Sequence, residues 1–170
     1  MFLDRDGVIN EAIVRDGKPF SPRSLDELVV LADAPAALAL LGRAGYALVV
    51  VTNQPDVARG AQQRATIDAM HARLRAELPL DAIYSCFHDD ADDCACRKPR
   101  PGLLLDAARD LDLDLAQSFM VGDRWRDIAA GAAAGCRTVF VDHGYTERRP
   151  SEFDHRVTSL AEAATWITSQ

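Results

Sequence analysis

The sequence predicts an α/β protein, a Rossmann-like three-layer α/β/α sandwich with a mostly parallel sheet. Three observations carry this. Short apolar runs alternate with segments of helical apolar spacing along the chain. One run, Tyr46 to Val51, is continuous and β-branched, as a strand covered on both faces must be. Clusters of carboxylate, hydroxyl and ammonium side chains follow directly after such runs, where ligands bind in sheets of this kind.

The first strand is the run ending at Leu3, followed by Asp4-Arg5-Asp6-Gly7. Residues i and i+2 of an extended segment point the same way, so Asp4 and Asp6 share a side and repel until a cation joins them. Glu11 to Leu25 is polar, holds Gly and Pro, and reads as a loop with a small hairpin across Asp16-Gly17. It is too short for a separate cap domain. Asp33 suits a helix N-cap and Pro35 an early helical position. Ala37, Leu38, Leu40 and Leu41 form the apolar face of that helix, and Gly45 ends it. After the Tyr46–Val51 strand, Ala61 to Leu78 is helical, with Ile67, Met70, Leu74 and Leu78 on one side. Strands are expected over 82–87, 118–121 and 137–141, and helices over 101–111 and 123–134. Ser159 opens a last helix, with Glu162 placed to complete a capping box.

A chain of 170 residues, 48% hydrophobic and 26% charged, suits one soluble domain with a real core, expected over 1–170. No apolar run reaches the length of a membrane span, and no export signal precedes Asp4. The expected location is the cytoplasm, with no membrane partner. The net charge of −7 argues against a nucleic-acid binder, which would be basic. Oligomeric state is not readable, and a monomer is the default.

Four groups carry chemistry, and each has a plain structural counterpart. The Asp4/Asp6 pair reads as an Mg²⁺ site or as a solvated acidic turn. Thr52 with Asn53 reads as a phosphate-holding strand end or as a simple turn. Lys98, in Arg97-Lys98-Pro99-Arg100-Pro101-Gly102, reads as a cation for a transferring phosphoryl group or as a solvated basic loop. Asp123, after Gly122, reads as a carboxylate aimed at the strand tip or as a helix N-cap, with Asp127 one helical turn on.

Taken together and in order, Asp4-x-Asp6-Gly7, Thr52-Asn53, Lys98-Pro99 and Gly122-Asp123-x-x-x-Asp127 resemble the haloacid dehalogenase-like (HAD) phosphohydrolases over nearly the whole chain. Asp-Arg-Asp-Gly, Thr-Asn-Gln, Ala58-Arg59-Gly60 and Cys-Arg-Lys-Pro look like the branch of histidinol-phosphate and heptose-bisphosphate phosphatases. The resemblance implies that Asp4 attacks phosphorus and forms an aspartyl-phosphate. It makes Asp6 the acid, then the base. It gives Mg²⁺ to the Asp4 carboxylate, the Asp6 carbonyl and Asp123, and phosphoryl oxygens to Thr52 and Lys98, with Asn53 among the substrate-binding residues. Asp127 would orient Lys98 or a metal water. Arg97 and Arg124 would recognise the substrate, a small phosphorylated metabolite. The first implied substrate is D-glycero-D-manno-heptose 1,7-bisphosphate, cut at C7. Histidinol phosphate is the alternative, and a non-catalytic phosphosugar-binding module a remote third. DNA 3′-phosphatases share the acids, but the net charge disfavours them.

Cys86, His88, Cys94 and Cys96 form a second cluster. Three thiols and one imidazole complete a tetrahedral Zn²⁺ shell, and the Asp-rich loop between them has little apolar to hold it by packing. Free surface cysteines and a Cys94/Cys96 redox pair are the other readings. Four protein ligands leave zinc no open position, so its role would be to brace the 86–96 loop that presents Arg97 and Lys98. Cys136 reads as core. The chain departs from its branch at Val8, where Thr is usual, at Pro55-Asp56 in place of Ser-Gly, at Phe87 in place of Pro, at Arg124 in place of Lys, and in a shorter loop between the zinc pairs.

Overall fold

The computed structural model describes residues 1–170. Its elements, in order, are β1 (Phe2–Leu3), the hairpin β2 (Ile13–Arg15) and β3 (Lys18–Phe20), α1 (Ala34–Arg43), β4 (Val49–Asn53), α2 (Arg64–Glu77), β5 (Ala82–Cys86), α3 (Gly102–Leu111), β6 (Phe119–Gly122), α4 (Trp125–Ala134), β7 (Arg137–Val141), β8 (His155–Val157) and α5 (Leu160–Ile167). A single 3-10 turn, Asp90–Asp92, lies between β5 and α3.

Six strands form one sheet in the order β5-β4-β1-β6-β7-β8, and every neighbouring pair is parallel. The chain winds outward from β1 to β5, then crosses back to β6 and winds the other way. Strand alternation separates the side chains into two cores. Leu3, Val50 and Val121 face Leu38 and Leu41 of α1, Ile67, Met70 and Leu74 of α2, and Leu160 and Ile167 of α5. Phe2, Val49, Val51 and Met120 face Leu103, Leu104 and Ala107 of α3 and Ala130 of α4. These are the three layers expected from the sequence. The only insertion of regular structure is the hairpin, whose turn residues Asp16 and Gly17 both have positive φ (50° and 72°), as a two-residue type I′ turn requires. No helix is long and apolar enough to cross a membrane.

Several boundaries differ from the sequence expectation for identifiable reasons. Tyr46 is not in β4: its N–H closes the end of α1 on the Leu41 carbonyl, beside Gly45 at φ +89°, and its ring packs edge-on against Phe119. α2 starts at Arg64, because the N–H groups of Arg59, Gly60, Ala61 and Gln62 are bonded within a preceding turn to Pro55, Asp56 and Val57. Asp33 has helical backbone angles and caps no residue of α1; its carboxylate instead accepts from Ala161 N at 3.0 Å, at the start of α5. Ser159 caps Glu162 N, but the Glu162 carboxylate reaches Thr158 N and Oγ1, one residue earlier than a capping box demands. Strand β8 has no sequence signal; it is a short polar edge strand held by β7.

The consequence for function is the register. Asp4 follows β1 and is tied by its N–H to Val121 O at 2.9 Å, while Thr52 and Asn53 end β4 and Gly122 ends β6. All these groups gather at the carboxyl ends of the central strands. Gly131 lets α4 approach that sheet, since a Cβ there would lie 2.5 Å from Met120 Cβ. Gly131→Ala is expected to lower stability by about 1–3 kcal/mol through overpacking, read as a lower denaturation midpoint.

Candidate active site

At the strand tips a buried lysine holds two acids together. Lys98 is 1% exposed, and its Nζ lies 2.6 Å from Asp4 Oδ1, 2.6 Å from Asp127 Oδ1 and 2.7 Å from Val51 O. Its backbone is clamped by Asn53, which donates through Nδ2 to Lys98 O at 3.0 Å and accepts Lys98 N on Oδ1 at 3.1 Å. The other oxygen of Asp127 accepts Arg124 N at 2.9 Å. Two glycines make room: a Cβ at Gly122 would collide with Asp127, and one at Gly7 with the Asp123 carboxylate.

Asp123 is 2% exposed, and neither of its carboxylate oxygens has a partner in full hydrogen-bond geometry, although the nearby Tyr145 hydroxyl draws its pKa down against burial. Ligand atoms of Asp4, Asp123 and Asp127 all lie within 4.8 Å of one another. Three carboxylates against one ammonium leave two negative charges unbalanced when all are ionised. Burial pushes Asp4 up to about 7, against the pull of Lys98, with the neighbouring acids adding to the rise. Burial, then Asp4 and Asp127, pushes Asp123 well above the carboxylate range. A buried, unbonded carboxylate beside unbalanced negative charge is a fit for a hard divalent cation.

Asp6 is in a different environment. Its carboxylate lies outside that cluster and accepts from Arg5 Nε (3.1 Å) and NH2 (3.1 Å), Asn10 Nδ2 (2.9 Å), Ser21 Oγ (2.7 Å) and Gln54 Nε2 (3.1 Å). Burial alone would raise its pKa; the Arg5 charge and these hydrogen bonds overcome it and hold Asp6 below the usual range. Gln54 also donates to Thr52 Oγ1 at 2.9 Å, so one amide orients two cleft residues. The cleft is lined by Asp4, Asp6, Thr52, Asn53, Lys98, Asp127 and Arg124, together with Arg126, the hairpin residues Pro19 and Phe20, and Ser21 just after the hairpin. Gln54, Ser21 and Arg126 carried no assigned role in the sequence reading. Gln54 stood inside a motif; Ser21 and Arg126 arrive only through folding.

The structure does not bring Arg97 to the cleft wall. Its guanidinium pairs with Asp90 (2.8 and 3.3 Å) and donates to His88 O at 3.3 Å. Arg124 does line the cleft but is paired with both oxygens of Glu147, at 2.7 and 2.5 Å.

The second cluster is gathered as the spacing implied. Sγ–Sγ separations among Cys86, Cys94 and Cys96 are 3.6, 3.2 and 3.4 Å, and His88 Nδ1 lies 3.6 and 3.3 Å from Cys86 and Cys96 Sγ. Zinc–ligand bonds of about 2.0–2.3 Å give tetrahedral edges of roughly 3.5–3.8 Å, close to these values. All the cysteines are free thiols.

A family model described as "HAD-hyrolase-like" matches residues 95–164. The D-glycero-beta-D-manno-heptose-1,7-bisphosphate 7-phosphatase of Bordetella bronchiseptica is 42% identical over 149 residues, covering 85% of this chain and 80% of that protein. The chain belongs to the HAD-like hydrolases. The corresponding Salmonella typhi enzyme is 36% identical over all of this chain and 95% of its own. The crystal structure of the B. bronchiseptica D,D-heptose 1,7-bisphosphate phosphatase with magnesium and phosphate superposes with a TM-score of 0.82 at 35% identity, covering 99% of this chain and 97% of that one.

Within this HAD-like hydrolase, the unusual acid at position 56 is paired locally, though its arginine is shared with a second acid. Asp56 pairs with Arg59 at 3.3 Å, and Arg59 in turn grips Asp89 of the 86–96 loop at 2.9 and 2.5 Å. The buried acids set a pH response. Folding raises the Asp4 pKa from 3.8 to about 7, so the metal-free native state holds a proton that the unfolded chain releases. Stability of the metal-free protein is therefore expected to fall as pH rises through that window. Mg²⁺ competes with the proton. Its addition should raise the thermal midpoint more at pH 8 than at pH 5, measured against a chelator control; an equal shift at both would contradict the assignment.

Proposed function

We propose that this enzyme is a magnesium-dependent phosphomonoesterase that removes the C7 phosphate of D-glycero-D-manno-heptose 1,7-bisphosphate through an aspartyl-phosphate. One observation carries the reaction class: a carboxylate at the β1 tip, 2.6 Å from a buried ammonium and beside an acid with no partner in full hydrogen-bond geometry. The heptose rests on the relatives, whose identity to this chain runs over most of its length.

Asp4 and Asp123, with the Asp6 carbonyl, would hold Mg²⁺, which when bound neutralises charge on the phosphoryl oxygens. Asp4 attacks phosphorus; its O–P bond forms as the ester P–O bond breaks. Asp6 gives its proton to the leaving alcohol oxygen, then takes one from the water that attacks the aspartyl-phosphate, so the cycle closes on protonated Asp6 and free Asp4. Resting Asp6 is held ionised by its neighbours. The negative charge of arriving substrate raises its pKa, so binding is accompanied by proton uptake. Thr52 donates to one phosphoryl oxygen, and Lys98, whose three N–H groups are held by Asp4, Asp127 and Val51 O, takes another with the N–H it releases from Asp4. Asp127 fixes the Lys98 ammonium, and Asn53 fixes its backbone. Arg124 and Arg126 face the non-reacting part of the substrate. Arg97 reaches the substrate only by giving up Asp90.

The Cys86/His88/Cys94/Cys96 cluster would bind one structural Zn²⁺ and so brace the loop leading to Lys98. Reduced clustered thiols fit a cytoplasmic protein. We take it to act as one domain and a monomer.

Asp4→Asn should lower phosphate release from the heptose bisphosphate about a thousandfold or more, with an unchanged circular-dichroism spectrum. Higher kcat/KM on histidinol phosphate, assayed alongside, would overturn the heptose assignment. Metal analysis of protein purified without added zinc should give one zinc per chain. Cys96→Ser should lose that zinc and lower the thermal midpoint.

A further inference from the structure

Arg5 is among the largest fully buried side chains in the protein, at 0% exposure, and stands between the two acids Asp4 and Asp6 in the chain. A guanidinium out of reach of water must find partners for its N–H groups. Arg5 finds them on two sides. Nε and NH2 engage the two oxygens of Asp6, each at 3.1 Å. NH1 meets His71 Nε2 at 3.0 Å, from a residue 66 positions downstream on α2. Arginine has no acceptor, so His71 Nε2 accepts and the ring carries its proton on Nδ1. Burial, then the Arg5 charge, pushes His71 down to about 4, in keeping with a neutral ring.

His71 does not line the catalytic cleft. It lies on the outer side of the sheet's edge, in an open groove with Asp68, Tyr84 and Phe87. It therefore touches no substrate, and its reach into the site is through one guanidinium. That guanidinium, with Asn10, Ser21 and Gln54, sets the plane of the Asp6 carboxylate, and it alone grips both oxygens with two nitrogens, which fixes orientation as well as distance. The Arg5 backbone is anchored separately, its carbonyl accepting from Ile9 and Asn10 N at 2.9 and 3.1 Å. Only the far end of the side chain depends on His71.

We propose that His71 is a positioning residue for the acid/base carboxylate Asp6, acting through the buried Arg5. The proposal rests on the acid/base reading of Asp6. Loss of the acceptor leaves a buried N–H without a partner; the guanidinium shifts toward another, and Asp6 moves with it. The misplacement is felt when a proton is transferred, more than when substrate binds.

The test compares His71→Leu, which removes the acceptor, with His71→Gln, whose Oε1 can take the place of Nε2. Steady-state kinetics with Mg²⁺ on the heptose bisphosphate should give a kcat about tenfold lower for H71L with KM within twofold, and near wild-type kcat for H71Q. Wild-type kcat in H71L, equal loss in H71L and H71Q, or a change in KM alone would overturn the proposal. If H71L does not fold, H71N, whose acceptor falls short of the guanidinium, replaces it under the same criteria. Asp6→Asn is run beside them. An active D6N would overturn the acid/base reading and this proposal with it. An inactive D6N beside an unaffected H71L would overturn this proposal alone.

Discussion

The structure depends on one buried ammonium. Lys98 arrives from the connection between β5 and α3, Asp4 from the tip of β1 and Asp127 from the first turn of α4, and they meet at 2.6 Å separations in a place nearly closed to water. Taking such ions out of water costs several kcal/mol each, which only short, well-aimed pairs offset. The rest of the site is arranged to make them well aimed. Asn53 clamps the lysine backbone, Gly122 lets Asp127 come close, and Gly102 lets the chain double back on Ala95, whose carbonyl accepts Gly102 N at 3.1 Å.

The same balance leaves Asp123 unsatisfied, and an unsatisfied buried carboxylate is costly to fold around. Such a carboxylate is what a divalent cation would satisfy. The contrast with Asp6 is instructive. Asp4 and Asp6 are one residue apart, yet burial drives one upward while a guanidinium and several hydrogen bonds hold the other down. Without metal and substrate these shifts run opposite to the proposed roles of nucleophile and acid, so those roles need a cation to lower Asp4 and the substrate's charge to raise Asp6. The outer surface is organised around charge as well. Asp90 holds Arg97 and Arg126, Glu147 holds Arg124, and Asp89 holds Arg59. An anionic substrate entering this rim would compete with these carboxylates for the arginines, and selectivity would then depend on which pairs yield.

Some of this was legible before folding. The strand order could not be read, but the strand-tip placement of the acids could, because apolar runs end abruptly at Leu3 and Val51 and just beyond Val121. The hairpin was legible from Asp16-Gly17, since few sequences accept two positive φ angles in succession. Legibility failed where a side chain chose a distant partner over a near one. Asp33 caps α5 and not its own helix, Glu162 reaches back one residue further than a capping box, and Tyr46 packs on Phe119 after ending α1. Arg97, next to Lys98 in sequence, is taken up by Asp90, the acid that also holds the cleft-lining Arg126.

By itself the sequence determined which chemistry the chain could hold. Acids, a hydroxyl, an amide and a lysine stand at the ends of apolar runs, and three cysteines and a histidine stand close enough in sequence to converge. Those are local facts, set by backbone periodicity and by the reactivity of each side chain. Only the tertiary structure decided how the charges pair: that Lys98 serves Asp4 and Asp127 together, that Asp123 is left without a partner in full hydrogen-bond geometry, and that Arg5 reaches His71 across to α2. Pairing of that kind is a matter of burial and approach in three dimensions, and the order of residues along a chain records neither.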